Sequence, residues 1–221
     1  RFGMILFPGV IDTHIHIFQS FLKGLGADHR LIEWLNLSAL PYGRIMTPRQ
    51  HELAARLACM EALKSGCTTI CEFFYTNQDP ELVHACIEGM LATGIRSVFI
   101  RTFQDTGEEY GMPSEFIEPA DKAMREVSSL RERYRENDML SVWTGPDVTW
   151  STTKEGYQTM LEYCLGENVR YSMHLKETEV DNEMCLKYYG RDIVDLLEEI
   201  GFLTDKMLAV HCVNLTEQDI R

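Results

Sequence analysis

No stretch of the chain approaches the roughly 20 consecutive apolar residues a membrane-spanning helix needs, so no membrane span is expected. Basic residues are scarce beside the acids: 21 Lys and Arg against 34 Asp and Glu, a net charge of −13. Phosphate backbones are held by basic surfaces, so nucleic acid is not an expected partner. No C-x-x-C pair occurs among the seven cysteines, Cys59, Cys67, Cys71, Cys86, Cys164, Cys185 and Cys212. Their number is odd and most sit in apolar runs. That suits reduced, buried thiols in a cytoplasmic protein better than a disulfide framework. Low-complexity segments, short-period repeats and a signal-peptide pattern are also missing. The chain starts at Arg1 rather than methionine, which leads us to expect an upstream segment.

What is there is enough for a sizeable core: 221 residues, 45% of them hydrophobic and 25% charged. Strand-like and helix-like segments alternate. Met4–Phe7 with Val10 and Ile11 reads as strand one, interrupted by Pro8-Gly9. Thr47 to Lys64 reads as a helix, with Thr47 as N-cap, Pro48 at the first position and Gln50 closing a capping box. Strands are expected at Cys67–Phe73, Ile95–Arg101, Met139–Thr144, Val169–His174 and Lys206–His211. Helices are expected from Asp79-Pro80 to near Gly94, from Pro119 to Arg135, from Thr152 to Leu165 and from Arg191 to Ile200. Thr152 with Glu155 reads as a second capping box, and Thr216 as the cap of a last helix. The longest irregular stretch falls between His16 and Thr47. Six strands with helical connections imply parallel pairing. A doubly wound sheet and a (β/α)8 barrel both fit, although a barrel needs eight strands and about 250 residues.

His14 and His16, in PGVIDTHIHIFQ, lie two apart where a buried strand would prefer Val or Ile. Residues i and i+2 of a strand share a face, so the two rings can converge on a transition metal such as Zn²⁺. Alone, the pair reads equally as two core histidines. His174 and His211, however, also close predicted strands. In a barrel those strand ends form one mouth, where active sites lie. Glu177, three residues after His174, can hang over that mouth as a proton carrier for metal-activated water.

PGVIDTHIH, HLKET and AVHC, in that order, resemble the amidohydrolase superfamily. HIHIFQSFLKGLGADHRLIEWL, GIRSVFIRTFQDTG and YGRDIVDLLEEIG resemble the branch of triazine chlorohydrolases and of guanine, cytosine and adenosylhomocysteine-type deaminases. The resemblance covers essentially the whole chain. It implies an incomplete (β/α)8 TIM barrel over residues 1–221, about six of eight units, holding one divalent metal, zinc or else iron. It makes His14, His16, His174 and His211 the metal ligands and Glu177 the general acid/base, with His211 assisting catalysis. Gln19 and His174 would face substrate, and Trp34 would lie on the loop over the pocket, unless it is simply a packing aromatic. Binuclear members carry a lysine on strand four; Met139–Thr149 has none, which favours one metal.

Two departures stand out. Lys176 occupies a position where the family commonly has a small residue, and we assign it no role. The family's aspartate ligand after strand eight has no counterpart, and Asp219 is not a substitute, because it sits in a helix's first turn. Only Arg1–Phe7 could belong to the family's flanking β-sandwich, so we expect an internal fragment of a protein about twice as long. The expected reaction of the complete protein is hydrolytic deamination, or dechlorination, of a nitrogen heterocycle such as a purine, pyrimidine or triazine. An alternative is hydrolysis of an amide or cyclic amide on the same fold. A third is that the 221 residues alone are an inactive, metal-binding or structural piece. The resemblance also makes a homodimer a common state.

Overall fold

The computed structural model describes residues 3–221. Six strands, β1 (Val10–Ile15), β2 (Cys67–Phe74), β3 (Arg96–Phe103), β4 (Leu140–Pro146), β5 (Tyr171–Leu175) and β6 (Met207–His211), form one sheet in sequence order. Every neighbouring pair is parallel. Parallel neighbours need crossovers, and helices supply them. In chain order these are α1 (Leu31–Trp34), α2 (Leu40–Ile45), α3 (Pro48–Lys64), α4 (Pro80–Leu91), α5 (Ala120–Arg133), α6 (Lys154–Gly166), α7 (Glu179–Tyr189), α8 (Ile193–Glu199) and α9 (Glu217–Ile220).

The sheet is curled. Across a flat six-stranded sheet, β1 and β6 would lie about 24 Å apart. Instead, the rings of His14 on β1 and His211 on β6 come within 5.4 Å between centroids. This curvature makes the six strands an incomplete barrel rather than the open doubly wound sheet. Two apolar layers hold it. Between strands and helices lies the larger one, including Phe74, Ile87, Phe99, Val127 and Tyr171. Inside the curve, Cys71, Phe73 and Ile100 pack with Val98 and Trp143.

Local signals match the expected elements closely where caps are strong. Thr47 accepts from the Gln50 backbone N–H, and its own N–H donates to Gln50 Oε1 at 2.8 Å, so both halves of the capping box form. Thr216 caps α9 through Asp219 in the same way. Three expectations are corrected. Met4–Phe7 are exposed and unpaired, and β1 begins only at Val10. Pro8 lacks the N–H a ladder needs. Of the expected tail, Arg1 and Phe2 lie outside the described residues. The cap of α6 is Thr153, which accepts from Gly156 N–H, not Thr152. The stretch between His16 and Thr47 is mostly helical: a 3-10 turn at Ile17–Phe21, then α1, a π-helical segment at Leu35–Ala39 and α2. Pro41 and Gly43, inside that run, mask its helical character. Helix α7 was also not anticipated, although Thr178 and Asp181 form a capping box at its start.

The seven cysteines are all free, and Cys59, Cys71, Cys86, Cys164 and Cys185 are buried. Burial pushes the thiols of Cys59, Cys164 and Cys185 up to about 12. No helix among the described residues is long and apolar enough to cross a membrane.

Strands β4 and β5 approach through Gly145. A Cβ there would meet the Ser172 carbonyl oxygen at 1.8 Å. Gly145→Ala must therefore push β5, and His174 with it, away from β4. We expect a loss of about 3 kcal/mol or more of unfolding free energy, at the upper end of overpacking costs. Urea denaturation of the two proteins measures it, and an unchanged midpoint would contradict this account.

Candidate metal centre

His14 lies near the end of β1 and His16 just beyond it. Both rings point into the curve, as a period of two requires. His174, on β5, shares that face. The register pairs His174 with Val210 and Leu175 with His211. Regular alternation would therefore put His211 beside Leu175, against the helices. It does not, because His211 has a left-handed backbone, φ 71°. That turn brings its ring to stack on His174 at 5.2 Å between centroids.

Nitrogen atoms then converge. His16 Nε2 lies 3.2 Å from His14 Nε2 and 3.2 Å from His174 Nε2. His14, His174 and His211 offer ring nitrogens that all lie within 4.8 Å of one another. The tautomers of two rings are fixed by main-chain acceptors. His16 Nδ1 donates to the Phe73 carbonyl at 2.8 Å, and His174 Nδ1 donates to the Asp147 carbonyl at 2.7 Å. A carbonyl only accepts, so Nδ1 carries the proton and the neutral ring presents a bare lone pair at Nε2. Two such lone pairs at 3.2 Å repel unless a cation sits between them. Burial, chiefly, lowers the pKa of His14 to about 3 and of His16 to about 4, and pushes His174 well down. The rings therefore do not solve the repulsion by taking up protons near neutrality. Carbonyls behind the rings and free nitrogens in front suit a divalent metal with nitrogen donors.

Glu177 stands at the rim with Oε2 3.5 Å from His211 Nε2. Burial, helped by the Asp181 charge, raises its carboxyl to about 7. A carboxyl poised there can both take and give a proton near neutral pH. A cavity of about 470 Å³ opens over the histidines and is lined by Gln19, Trp34 and Glu177 as well. Gln19 Nε2 donates to the Tyr75 hydroxyl at 2.9 Å. The Trp34 indole donates to the Leu25 carbonyl at 3.0 Å, so this residue both packs its own loop and walls the cavity. All seven residues singled out in the sequence thus meet at one place.

Lys176 turns away from it. With φ 48° it leaves the strand face and buries Nζ between Asp192 Oδ2 at 2.7 Å and Asp219 Oδ2 at 2.9 Å. These acids start α8 and α9, so Lys176 ties two helix N-termini to β5. Asp219 thus serves an ion pair as well as its cap.

Sequence reasoning missed Tyr75, Tyr110, Asp147 and Trp150 in the cavity wall. Two of these had a usable signal. Tyr75 directly follows β2 and Asp147 directly follows β4, the same strand-end position that marked the histidines.

The sequence profile of the Amidohydrolase family matches residues 5–221, and the chain belongs to that family. A 5-methylthioadenosine/S-adenosylhomocysteine deaminase of Syntrophobacter fumaroxidans is 31% identical over 219 residues, covering 99% of this chain and 47% of that protein. The chain spans about half the length of the curated relatives it matches. A zinc-bound adenosine deaminase from Xanthomonas campestris has the same fold, with TM-score 0.84 and 20% identity over 96% of this chain and 46% of that one. A mutant atrazine chlorohydrolase TrzN from Arthrobacter aurescens, complexed with zinc and atraton, gives a TM-score of 0.85 and 22% identity over 96% of this chain and 50% of that one.

Metal affinity at histidines is set by competition with protons. Rings held at about 3 and about 4 do not compete until the solution is well below the ordinary value of 6.5. Zinc affinity, measured by chelator competition, is therefore expected to stay level from about pH 8 to about pH 6. A decline that begins at the ordinary histidine value would contradict the burial argument.

Proposed function

We propose that the complete protein is a metal-dependent hydrolase that removes an amino group, or a chlorine, from a nitrogen heterocycle. The observation that carries this is the convergence of bare imidazole nitrogens beside a carboxyl raised to about 7. His14, His16, His174 and His211 would hold the metal, zinc in preference to iron, given the zinc in the structures this chain resembles. When bound, the ion supplies a Lewis acid that lowers the pKa of water toward neutrality.

The chain's own groups do the rest. Glu177 takes a proton from the attacking water and delivers it to the leaving nitrogen. Water and the amino-substituted ring carbon thus become a carbonyl and ammonia. His211, with Nε2 3.5 Å from Glu177 Oε2, would hold the metal beside that carboxyl. Gln19, tethered to Tyr75, orients the ring, and Trp34 shields it from solvent. The substrate is a small heterocycle of the purine, pyrimidine or triazine kind. We also propose that further chain completes the barrel to eight strands. The six strands by themselves are then expected to be inactive.

Ammonia release from a panel of aminated purines, pyrimidines and triazines tests the reading. Glu177→Gln in the full-length protein should lower kcat by about 10²- to 10⁴-fold, the usual weight of a general acid/base, with zinc retained. A His14→Ala/His16→Ala double variant should lose the zinc. Full activity in zinc-loaded Glu177→Gln, or ring opening in place of ammonia release, would overturn the proposal.

A further inference from the structure

The cavity contains a carboxyl group that the proposed chemistry does not use. Asp147 is the first residue after β4, and only 4% of it is exposed. Its main chain is fully engaged: the N–H donates to the Phe103 carbonyl at 2.9 Å, and the C=O accepts from His174 Nδ1 at 2.7 Å. Its side chain makes no hydrogen bond among the described residues, yet it lines the cavity. A buried carboxyl without a partner is expensive, so its place at a cavity wall calls for a ligand.

The shared metal is not that ligand: Asp147 stands behind His174, on the Nδ1 side of the ring, whereas the converging nitrogens lie on the Nε2 side. Position then narrows the choice. The residue is anchored through its own carbonyl to a ring of the metal centre, so its carboxyl belongs to the part of the cavity wall beside the histidines. In its ionised form, which a hydrogen-bond donor on the substrate would favour, the carboxylate only accepts hydrogen bonds. The rest of the wall has the same bias: Glu177 is a second acid, and among the described residues no Lys or Arg lines the cavity. Tyr75, Tyr110 and Trp150 add flat apolar surface.

We propose that Asp147 is a specificity-determining residue: its carboxylate accepts a hydrogen bond from a ring N–H of the substrate and selects uncharged or cationic heterocycles that carry such a donor. The inference deepens the hydrolase reading and rests on it. A heterocycle offering only ring acceptors would face the carboxylate with lone pairs on both sides. An anionic substituent on the Asp147 side would meet acids and no Lys or Arg. A site built around a substrate N–H rejects analogues that lack it, because its own buried group is then left unpaired.

The test uses the full-length protein, with cytosine, guanine and the derivatives of each that carry one methyl on one ring nitrogen. Dissociation constants are measured by calorimetry on zinc-stripped protein, and kcat/KM for ammonia release on zinc-loaded protein. One methyl derivative should bind about 10- to 100-fold more weakly than its parent, the weight of one charge-assisted hydrogen bond. Asp147→Asn should erase that difference by weakening the parent, with zinc content unchanged. Asp147→Ala, which leaves the main-chain carbonyl in place, should do the same and relieve any steric cost of the methyl group. Parent bases bound equally by wild type and both variants would overturn the inference, as would loss of zinc from the variants or failure of wild type to bind either base. Ammonia release that is unchanged in Asp147→Asn overturns this inference alone and leaves the hydrolase standing. Absence of ammonia release from every heterocycle tried, with a base still bound through Asp147, removes the hydrolase reading instead.

Discussion

Two hydrogen bonds from imidazole to main chain govern this site. The carbonyls of Phe73 and Asp147 hold the Nδ1 protons of His16 and His174. Each carbonyl sits at the end of a strand, one in β2 and one just past β4, behind a ring that belongs to another element. The bonds form between neighbouring strands, β1 with β2 and β4 with β5, and the curl then brings the two anchored rings together. Strand order sets the tautomers, and curvature makes the free nitrogens converge. Rings fixed this way cannot rotate to find water, which is why the lone pairs stay aimed at a common point.

The same centre tolerates local conflict. Lys176, His211 and Cys212 have left-handed backbones, φ 48°, 71° and 57°, without being glycine. Such conformations cost of the order of 1–3 kcal/mol each. They occur where β5 and β6 end, and they do opposite things: at His211 the turn swings a ring into the centre, and at Lys176 it swings a charge out. Elsewhere among the described residues only Asn168 shares that non-glycine backbone, the strands are paired in order, and five of the seven thiols are buried. A stable periphery carries a strained rim.

The sequence is legible where one local rule acts alone. Thr47, Pro48 and Gln50 mark a helix start to the residue, and H-x-H on a strand predicts a shared face. It becomes hard to read where local and tertiary rules compete. Leu31 to Ile45 is helical despite Pro41 and Gly43, because helices and a π-helical segment run on into one another there. His211 was legible by position but for an incomplete reason: strand alternation points it the wrong way, and a backbone torsion corrects it. Lys176 could not be read at all, since its partners lie 16 and 43 residues away. Asp147 carries no signal beyond its position, because a lone aspartate in a strand-end turn has no pattern of its own.

The lysine's two partners also bear on how this chain could change over evolutionary time. Asp192 caps α8 and Asp219 closes the capping box that Thr216 opens on α9, and both pair with Lys176. Replacing the lysine with a small residue would leave two acids with no counter-charge. Replacing Asp192 would uncap α8, replacing Asp219 would break half of the α9 capping box, and either would leave the amine one partner. Each single replacement therefore damages more than the one contact it removes, so the three residues constrain one another's substitution.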